Sequence, residues 1–319
     1  MKSENEIRDL VIEAGHELVE KKLIARTWGN ISARLDDEYF VITPSGRAYE
    51  DLTPEDLVKV KISDCTYDGD IKPSSEKGIH QAAYVLRPDV NVVIHTHQFF
   101  ASTVSAECKG TPFAPCAAYG LSGTKKLRNN VAYSIKQNPE SKTILMARHG
   151  AMIMGEDFQH AFSLADDLEV KCETLVNERI PSMDTTDFRD LDTEAVDVGH
   201  PFVLLNKDQY VNECCLAGIN LKAYIDDFAQ IVGPEARCCG RNKARIKKAA
   251  KGRNAVIVKR AGALCFADTP DDAEAVSMIV SKNCAAACYV RKGKPLSKVD
   301  AMLQRIIYTK KYSKEKDVC

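Results

Sequence analysis

Apolar residues recur at helical spacing over residues 4–22, where Ile7, Leu10, Val11, Ala14, Leu18 and Val19 share one face, so the chain is expected to open on an amphipathic helix. Thr27-Trp28-Gly29-Asn30 breaks that pattern. Two alternating segments follow, residues 31–35 and 39–43, turned at Asp36-Asp37 as a hairpin. Thr43-Pro44-Ser45-Gly46 reads as a tight turn, and Thr53-Pro54-Glu55-Asp56 as a capped helix start. A strand is expected at 57–62. Ser74 or Ser75 then caps a helix that runs to about Leu86, where Arg87-Pro88-Asp89 ends it. The apolar run 90–95 reads as a buried strand ending in His95-Thr96-His97, with a short helix at 99–107 after it. A glycine-containing loop at 118–124 leads to a helix over 125–136. Strands at 143–147 and 151–154 flank the turn Arg148-His149-Gly150, and a long helix covers 157–177. The alternation of strands and helices taken alone favours a parallel sheet.

Residues 181–200 lose apolar periodicity and collect Asp184, Asp187, Asp190, Asp192, Glu194 and Asp197 among proline, serine and threonine, which reads as an acidic linker. Beyond it the pattern returns. Residues 143–172 align without gaps on 255–284, placing Arg148 on Arg260, Gly150 on Gly262 and Ala161 on Ala273. His149 falls on Ala261, and all seven histidines lie at or before His200. The expected organisation is therefore a catalytic domain over 1–180, a linker over 181–200, and a smaller, degenerate, non-catalytic copy over 201–319.

The totals narrow the class. Of 319 residues, 45% are hydrophobic and 28% charged, which is a globular balance, and the formal net charge of −1 offers no bias toward nucleic acid or anionic membranes. The basic run 237–251 lacks interleaved aromatics and reads as a solvated helix face. No segment is apolar for long enough to span a bilayer, and the first turns lack the apolar run of a signal peptide. Twelve cysteines without a zinc-ribbon or knottin spacing read as reduced thiols, so a cytoplasmic protein is expected.

Candidate chemistry gathers in residues 73–97, PSSEKGIHQAAYVLRPDVNVVIHTH. Side chains two apart on a strand share a face, so His95 and His97 converge, and His149 is a third imidazole at a turn. Glu76, one helix upstream, adds a carboxylate. Ser74 and Ser75 at a helix N-terminus, with Asn30 and Ser45-Gly46 from nearby loops, offer hydroxyls and N–H groups to an anion, although each alone reads as a cap or turn residue. Tyr119 is a candidate acid in its glycine loop.

Taken together, Thr27–Asn30 (TWGN), Ile42–Gly46 (ITPSG), Pro73–Glu76 (PSSE), Arg87–His97 (RPDVNVVIHTH), Tyr119 before Gly123-Thr124, and His149-Gly150 resemble the class II aldolase/adducin family, on its fuculose-phosphate aldolase side, over residues 4–180. The resemblance implies a three-layer α/β/α fold with a mostly antiparallel central sheet. It implies Zn²⁺ (or another divalent ion such as Mn²⁺) on His95, His97, His149 and Glu76, and a substrate phosphate among Asn30, Ser45, Gly46, Ser74 and Ser75. Glu76 would be the general base/acid, and Tyr119, lent by a neighbouring subunit, would serve the aldehyde-derived oxygen. The implied reaction is reversible cleavage of a ketose 1-phosphate to dihydroxyacetone phosphate and an aldehyde through a Zn-stabilised enediolate, in a homo-oligomer (dimer or tetramer). Ribulose-phosphate 4-epimerases of the family carry Asp where this chain has Glu76, which favours the aldolase. A methylthioribulose-phosphate dehydratase on the same scaffold, and a metal-free adducin-like scaffold protein, stand as alternatives. The C-terminal third departs from the family's single-domain pattern.

Overall fold

The computed structural model describes residues 2–24, 28–180, 188–193, 196–291 and 293–309; Thr27 of the TWGN motif and Asp184, Asp187 and Glu194 of the acidic stretch lie outside the described residues. The chain divides into two compact units, with the boundary between Glu173 and Thr174.

The first unit opens on α1 (Glu4–Glu20), fixed at its start by a reciprocal capping box in which Ser3 and Glu6 satisfy each other's backbone N–H groups. The hairpin β1 (Asn30–Arg34) and β2 (Tyr39–Ile42) follows, then β3 (Val58–Lys61), α2 (Lys77–Leu86), β4 (Val92–Thr96) and α3 (Phe99–Ser105). β5 (Cys116–Ala117), α4 (Lys125–Gln137), β6 (Thr143–Met146), β7 (Gly150–Gly155) and α5 (Phe158–Arg179) come next, the boundary between the units falling within α5. The seven strands lie in the order β3-β2-β1-β4-β7-β6-β5. Only the β5–β6 pair is parallel; the other five are antiparallel. The parallel sheet suggested by alternation alone is thus replaced by a mostly antiparallel one. The reason is connectivity: β1–β2 and β6–β7 are tight hairpins, which only antiparallel neighbours permit.

One face of this sheet buries Phe40, Ile42, Val60, Val93, Ile144, Met152 and Met154 against Ile79, Ala83 and Tyr84 of α2 and Leu127, Val131 and Ile135 of α4. Strand alternation then puts His95 on that same face, two residues after Val93. The approach to β4 is pinned by Arg87, whose guanidinium forks onto both Asp89 oxygens at 2.9 Å and reaches the Ser141 carbonyl at 3.0 Å. That fork, with Lys142 beside it, holds the Asp89 carboxyl below its usual range.

The expected start of α2 is corrected. The helix begins at Lys77, and Glu76, not a serine, occupies the N-cap without a side-chain capping bond. The Ser74 hydroxyl accepts the Glu76 N–H at 3.2 Å, which leaves the Glu76 carboxylate turned elsewhere. Likewise, Pro54–Asp56 is a single 3-10 turn with its capping box and does not continue as a helix.

The second unit contains β8 (Phe202–Asn206), α6 (Gln209–Ala217), β9 (Leu221–Lys222), α7 (Asp226–Ile231), β10 (Glu235–Cys239), α8 (Lys243–Ala250), β11 (Ala255–Val258), β12 (Gly262–Ala267), α9 (Pro270–Val290) and α10 (Lys298–Ile307). Its five strands lie in the order β8-β12-β11-β10-β9, again with one parallel pair, β10–β11. Val196, from the acidic stretch, is buried with Val256, Leu264 and Phe266, and the Arg189 N–H donates to the Arg260 carbonyl at 3.0 Å. No described helix is long and apolar enough to cross a membrane.

Candidate metal centre and active site

Antiparallel register brings His95 to the middle strand of the sheet, and His97 follows just past the end of β4. His95 stands opposite Asn30 on β1 and Met152 on β7. The hairpin turn between β6 and β7 supplies the third: the His149 N–H closes the turn on the Met146 carbonyl at 3.0 Å, with Arg148 in the left-handed region at φ 64°. Gly150 is required next. A Cβ there would lie 2.2 Å from the Thr96 carbonyl oxygen. The Nε2 atoms of His97 and His149 each lie 2.9 Å from His95 Nε2, and the three ligand atoms all fall within 4.8 Å of one another.

Neutral imidazole nitrogens aimed at one another at such a distance repel through their lone pairs, so the arrangement calls for a positive centre between them. The orientation is set from behind. His95 Nδ1 meets the Ala151 carbonyl at 2.9 Å, which makes Nδ1 the protonated nitrogen and leaves Nε2 as the ligand atom. His149 Nδ1 lies 3.3 Å from the Ser122 hydroxyl. Glu76 closes the set: its two oxygens lie 3.2 Å from His95 Nε2 and 3.2 Å from His149 Nε2. Burial opposes ionisation of this carboxyl, but positive charge on His95 and His149, present when a proton sits on the cluster, outweighs it and holds the pKa well below the usual value. Glu76 Oε1 is fully buried and has no hydrogen-bond donor among the described residues. Three imidazoles, an ionised carboxylate and an orphaned buried oxygen together fit a divalent cation of zinc type.

The anion-binding candidates arrive on two turns stitched side by side. Pro44 and Pro73 form an isolated antiparallel bridge, the Ser45 N–H donates to the Lys72 carbonyl at 2.9 Å and the Ser74 N–H to the Thr43 carbonyl at 3.0 Å. Ser45-Gly46 and Ser74-Ser75 are therefore brought together, and Asn30 Nδ2 donates to Glu76 Oε2 at 3.2 Å. A small cavity of about 170 Å³ beside Ser75 and Glu76 also touches Lys77, Lys125 and Arg128, three cations absent from the sequence-based set. Tyr119 lies half-buried in the loop before α4, its carbonyl accepting from Asn130 at 3.1 Å. Ser122 of the same loop reaches His149 Nδ1 at 3.3 Å.

A family model described as "Class II Aldolase and Adducin N-terminal domain" matches residues 9–176, just over half of the chain. The chain belongs to this family. It is 33% identical over 177 residues to the L-fuculose phosphate aldolase of Haemophilus influenzae, a match covering 52% of this chain and 80% of that protein. It is 34% identical over 184 residues to the 5-methylthioribulose-1-phosphate/5-deoxyribulose-1-phosphate aldolase of Escherichia coli, covering 52% and 84%. Among solved structures, YgbL from Klebsiella pneumoniae superposes with a TM-score of 0.51 at 22% identity over 57% of this chain and 95% of that one, a likeness of fold. In this class II aldolase-family chain the matched region carries the whole imidazole and carboxylate cluster.

One group in the site escaped sequence reading. His80 is fully buried on α2 and lies 2.5 Å from Asn30 Oδ1 and 2.7 Å from the Ser32 hydroxyl, which in turn lies 2.7 Å from the Tyr84 hydroxyl. The available signal was the pair His80 and Tyr84, two polar-tipped residues four apart on an otherwise apolar helix face.

Proposed function

We propose that the protein is a metal-dependent aldolase that reversibly cleaves a ketose 1-phosphate to dihydroxyacetone phosphate and an aldehyde. The observation that carries this reading is the Glu76 carboxylate set between two of three convergent imidazoles, 3.2 Å from each, beside paired serine turns. Asn30, Ser45, Gly46, Ser74 and Ser75 hold the substrate phosphate, with the nearby Lys77, Lys125 and Arg128 favouring its charge. Remote binding of that group fixes the reacting carbons over the cluster and lowers the entropic part of the barrier. Cleavage breaks the bond between the hydroxyl-bearing aldehyde carbon and the carbon next to the ketone. The hydroxyl proton leaves to solvent by way of Tyr119 as the aldehyde forms; the bond pair stays with the ketone half; and Glu76, having taken up one proton from solvent in exchange, delivers it to that carbon. In synthesis Glu76 removes that proton. A divalent cation, Zn²⁺ or Mn²⁺, on His95, His97 and His149 with Glu76 supplies Lewis-acid stabilisation of the negative charge on the ketone half when bound.

The reading includes a homo-oligomer, dimer or tetramer, in which a neighbouring subunit lends Tyr119. A panel of ketose 1-phosphates coupled to glycerol-phosphate dehydrogenase tests the chemistry. Dihydroxyacetone phosphate released from at least one member is the expected result. An epimerase or a dehydratase on the same scaffold releases none, and an adducin-like scaffold protein retains no metal through gel filtration.

A further inference from the structure

Behind the carboxylate runs a line of buried polar groups of which the proposed chemistry uses only Asn30. Tyr84, Ser32, His80 and Asn30 are all buried, and they connect in sequence to Glu76. Sheet and helix geometry explain why they meet. Asn30 and Ser32 alternate onto one face of β1, and His80 and Tyr84, four apart, face them from α2.

The polarity of the line follows from its charged end. A carboxylate only accepts, so the Asn30 amide presents Nδ2–H to Glu76 Oε2 and its oxygen to His80. An amide oxygen also only accepts, so His80 carries its proton on Nε2. Its Nδ1 is then an acceptor, filled by the Ser32 hydroxyl. Ser32 has one proton, now spent, so its oxygen accepts from Tyr84. Each donor points toward Glu76, and each member has one arrangement open to it. Burial keeps the imidazole neutral, with its pKa pushed down to about 3, so it does not switch to a double donor.

We propose that His80 is a positioning residue for the Glu76 carboxylate: through its Nε2–H it locks the Asn30 amide so that the amide donates to Glu76, and Ser32 and Tyr84 lock His80. Without that lock the Asn30 amide flips, setting its oxygen against the carboxylate and releasing Glu76 from its place beside the imidazoles. The catalytic part of this inference rests on the aldolase reading; the hydrogen-bond chain itself does not.

The test compares His80→Phe, which keeps a ring and removes both nitrogens, with His80→Gln, whose amide restores a donor toward Asn30, after circular dichroism confirms that both fold. Supporting groups of this kind carry about 10- to 100-fold in affinity or rate. The expected result is a fall of about 10-fold or more in Zn²⁺ affinity, read by competition with a chromophoric chelator, for His80→Phe, with kcat falling in parallel and KM nearly unchanged. His80→Gln recovers most of both. In ¹⁵N-resolved spectra of the metal-free wild type, one imidazole Nε2–H proton exchanges slowly, vanishes in both His80 variants and shifts in Asn30→Ala. Equal behaviour of His80→Phe and His80→Gln, or an Nδ1–H tautomer at His80, overturns the proposal. If the wild type cleaves no sugar phosphate, the aldolase reading fails, while the Zn²⁺ and spectroscopic readouts still judge the lock.

Discussion

The run β4-β7-β6-β5 of the first unit is answered by β8-β12-β11-β10 in the second, each ending in one parallel pair, and the two runs differ in chemistry. In the first, β4 pairs with β7 so that Thr96 faces Ala151; in the second, β8 pairs with β12 so that Asn206 faces Ala263. β4 and β8 each lead into a helix capped by the second residue after the strand, Gln98 for α3 and Asp208 for α6. Both hairpins turn alike: His149 N–H to the Met146 carbonyl, Ala261 N–H to the Val258 carbonyl, each at 3.0 Å. Carried through these registers, His95 corresponds to Leu205, His97 to Lys207 and His149 to Ala261. The second unit keeps the frame and holds none of the ligands.

That contrast separates what the fold needs from what a metal centre needs. Arg148 sits at φ 64° and Arg260 at φ 55°, both in a conformation non-glycine residues seldom adopt. Next to His149 alone, the strained arginine would look like a catalytic device. Its counterpart beside Ala261 shows that the strain belongs to the turn. The same holds for the glycines: a Cβ on Gly150 would meet the Thr96 oxygen at 2.2 Å, and one on Gly262 the Asn206 oxygen at 2.5 Å.

The comparison can be broken in several ways. Stripping metal with EDTA should abolish turnover, with Zn²⁺ or Mn²⁺ restoring it; full activity in metal-free protein, verified by elemental analysis, would remove the first unit's claim to be different. Next in size, Glu76→Gln should lower turnover by about a hundred- to ten-thousand-fold, the range of a lost general base, while the melting curve keeps its midpoint. The paired substitutions Gly150→Ala and Gly262→Ala should each cost about 2 kcal/mol or more in urea titrations, because a backbone oxygen stands where the methyl must go. Only Gly150→Ala should also weaken Zn²⁺ binding; equal loss from Gly262→Ala would mean that the units are not chemically separate.

The smallest effect concerns acid. The folded protein holds His80 neutral to about pH 3, whereas an unfolded histidine takes its proton near pH 6.5. Between those values the unfolded chain binds the extra proton, so stability rises with pH; His80's contribution is complete above about 6.5 and is lost as pH falls toward 3. The expected slope is about 1.4 kcal/mol per pH unit at most. Urea midpoints at pH 7.5 and 5 should therefore differ less in His80→Phe than in wild type.

Much of the site was legible because its motifs are local: HTH at the end of one strand, HG in one turn, PSSE at one helix start. What was missed depends on partners far apart in sequence. His80 acquires its role from Ser32 and Asn30, 48 and 50 residues away, and no spacing rule connects them. The helix start was misread because serine is the usual cap, while here Ser74 satisfies the Glu76 N–H and lets the carboxylate turn inward. Alternating strands and helices suggested a parallel sheet since the alternation does not reveal which neighbours are hairpins. The sequence alignment of the two units began at residue 143, yet the matching registers of β4 and β8 reach further back, where the replacement of His95-Thr96-His97 by Leu205-Asn206-Lys207 erases any likeness.

β8 has one more consequence. Its counterpart β4 is covered on both sides within its sheet, whereas β8 is the outermost strand of its own, with Phe202 and Leu204 well exposed. Such a rim invites a foreign strand during synthesis and refolding. Pro201 immediately before it and Lys207 immediately after it are gatekeepers: one offers no amide hydrogen and the other places a charge at the end of the strand. Foreign pairing at this rim is thus opposed by the two residues that flank the strand.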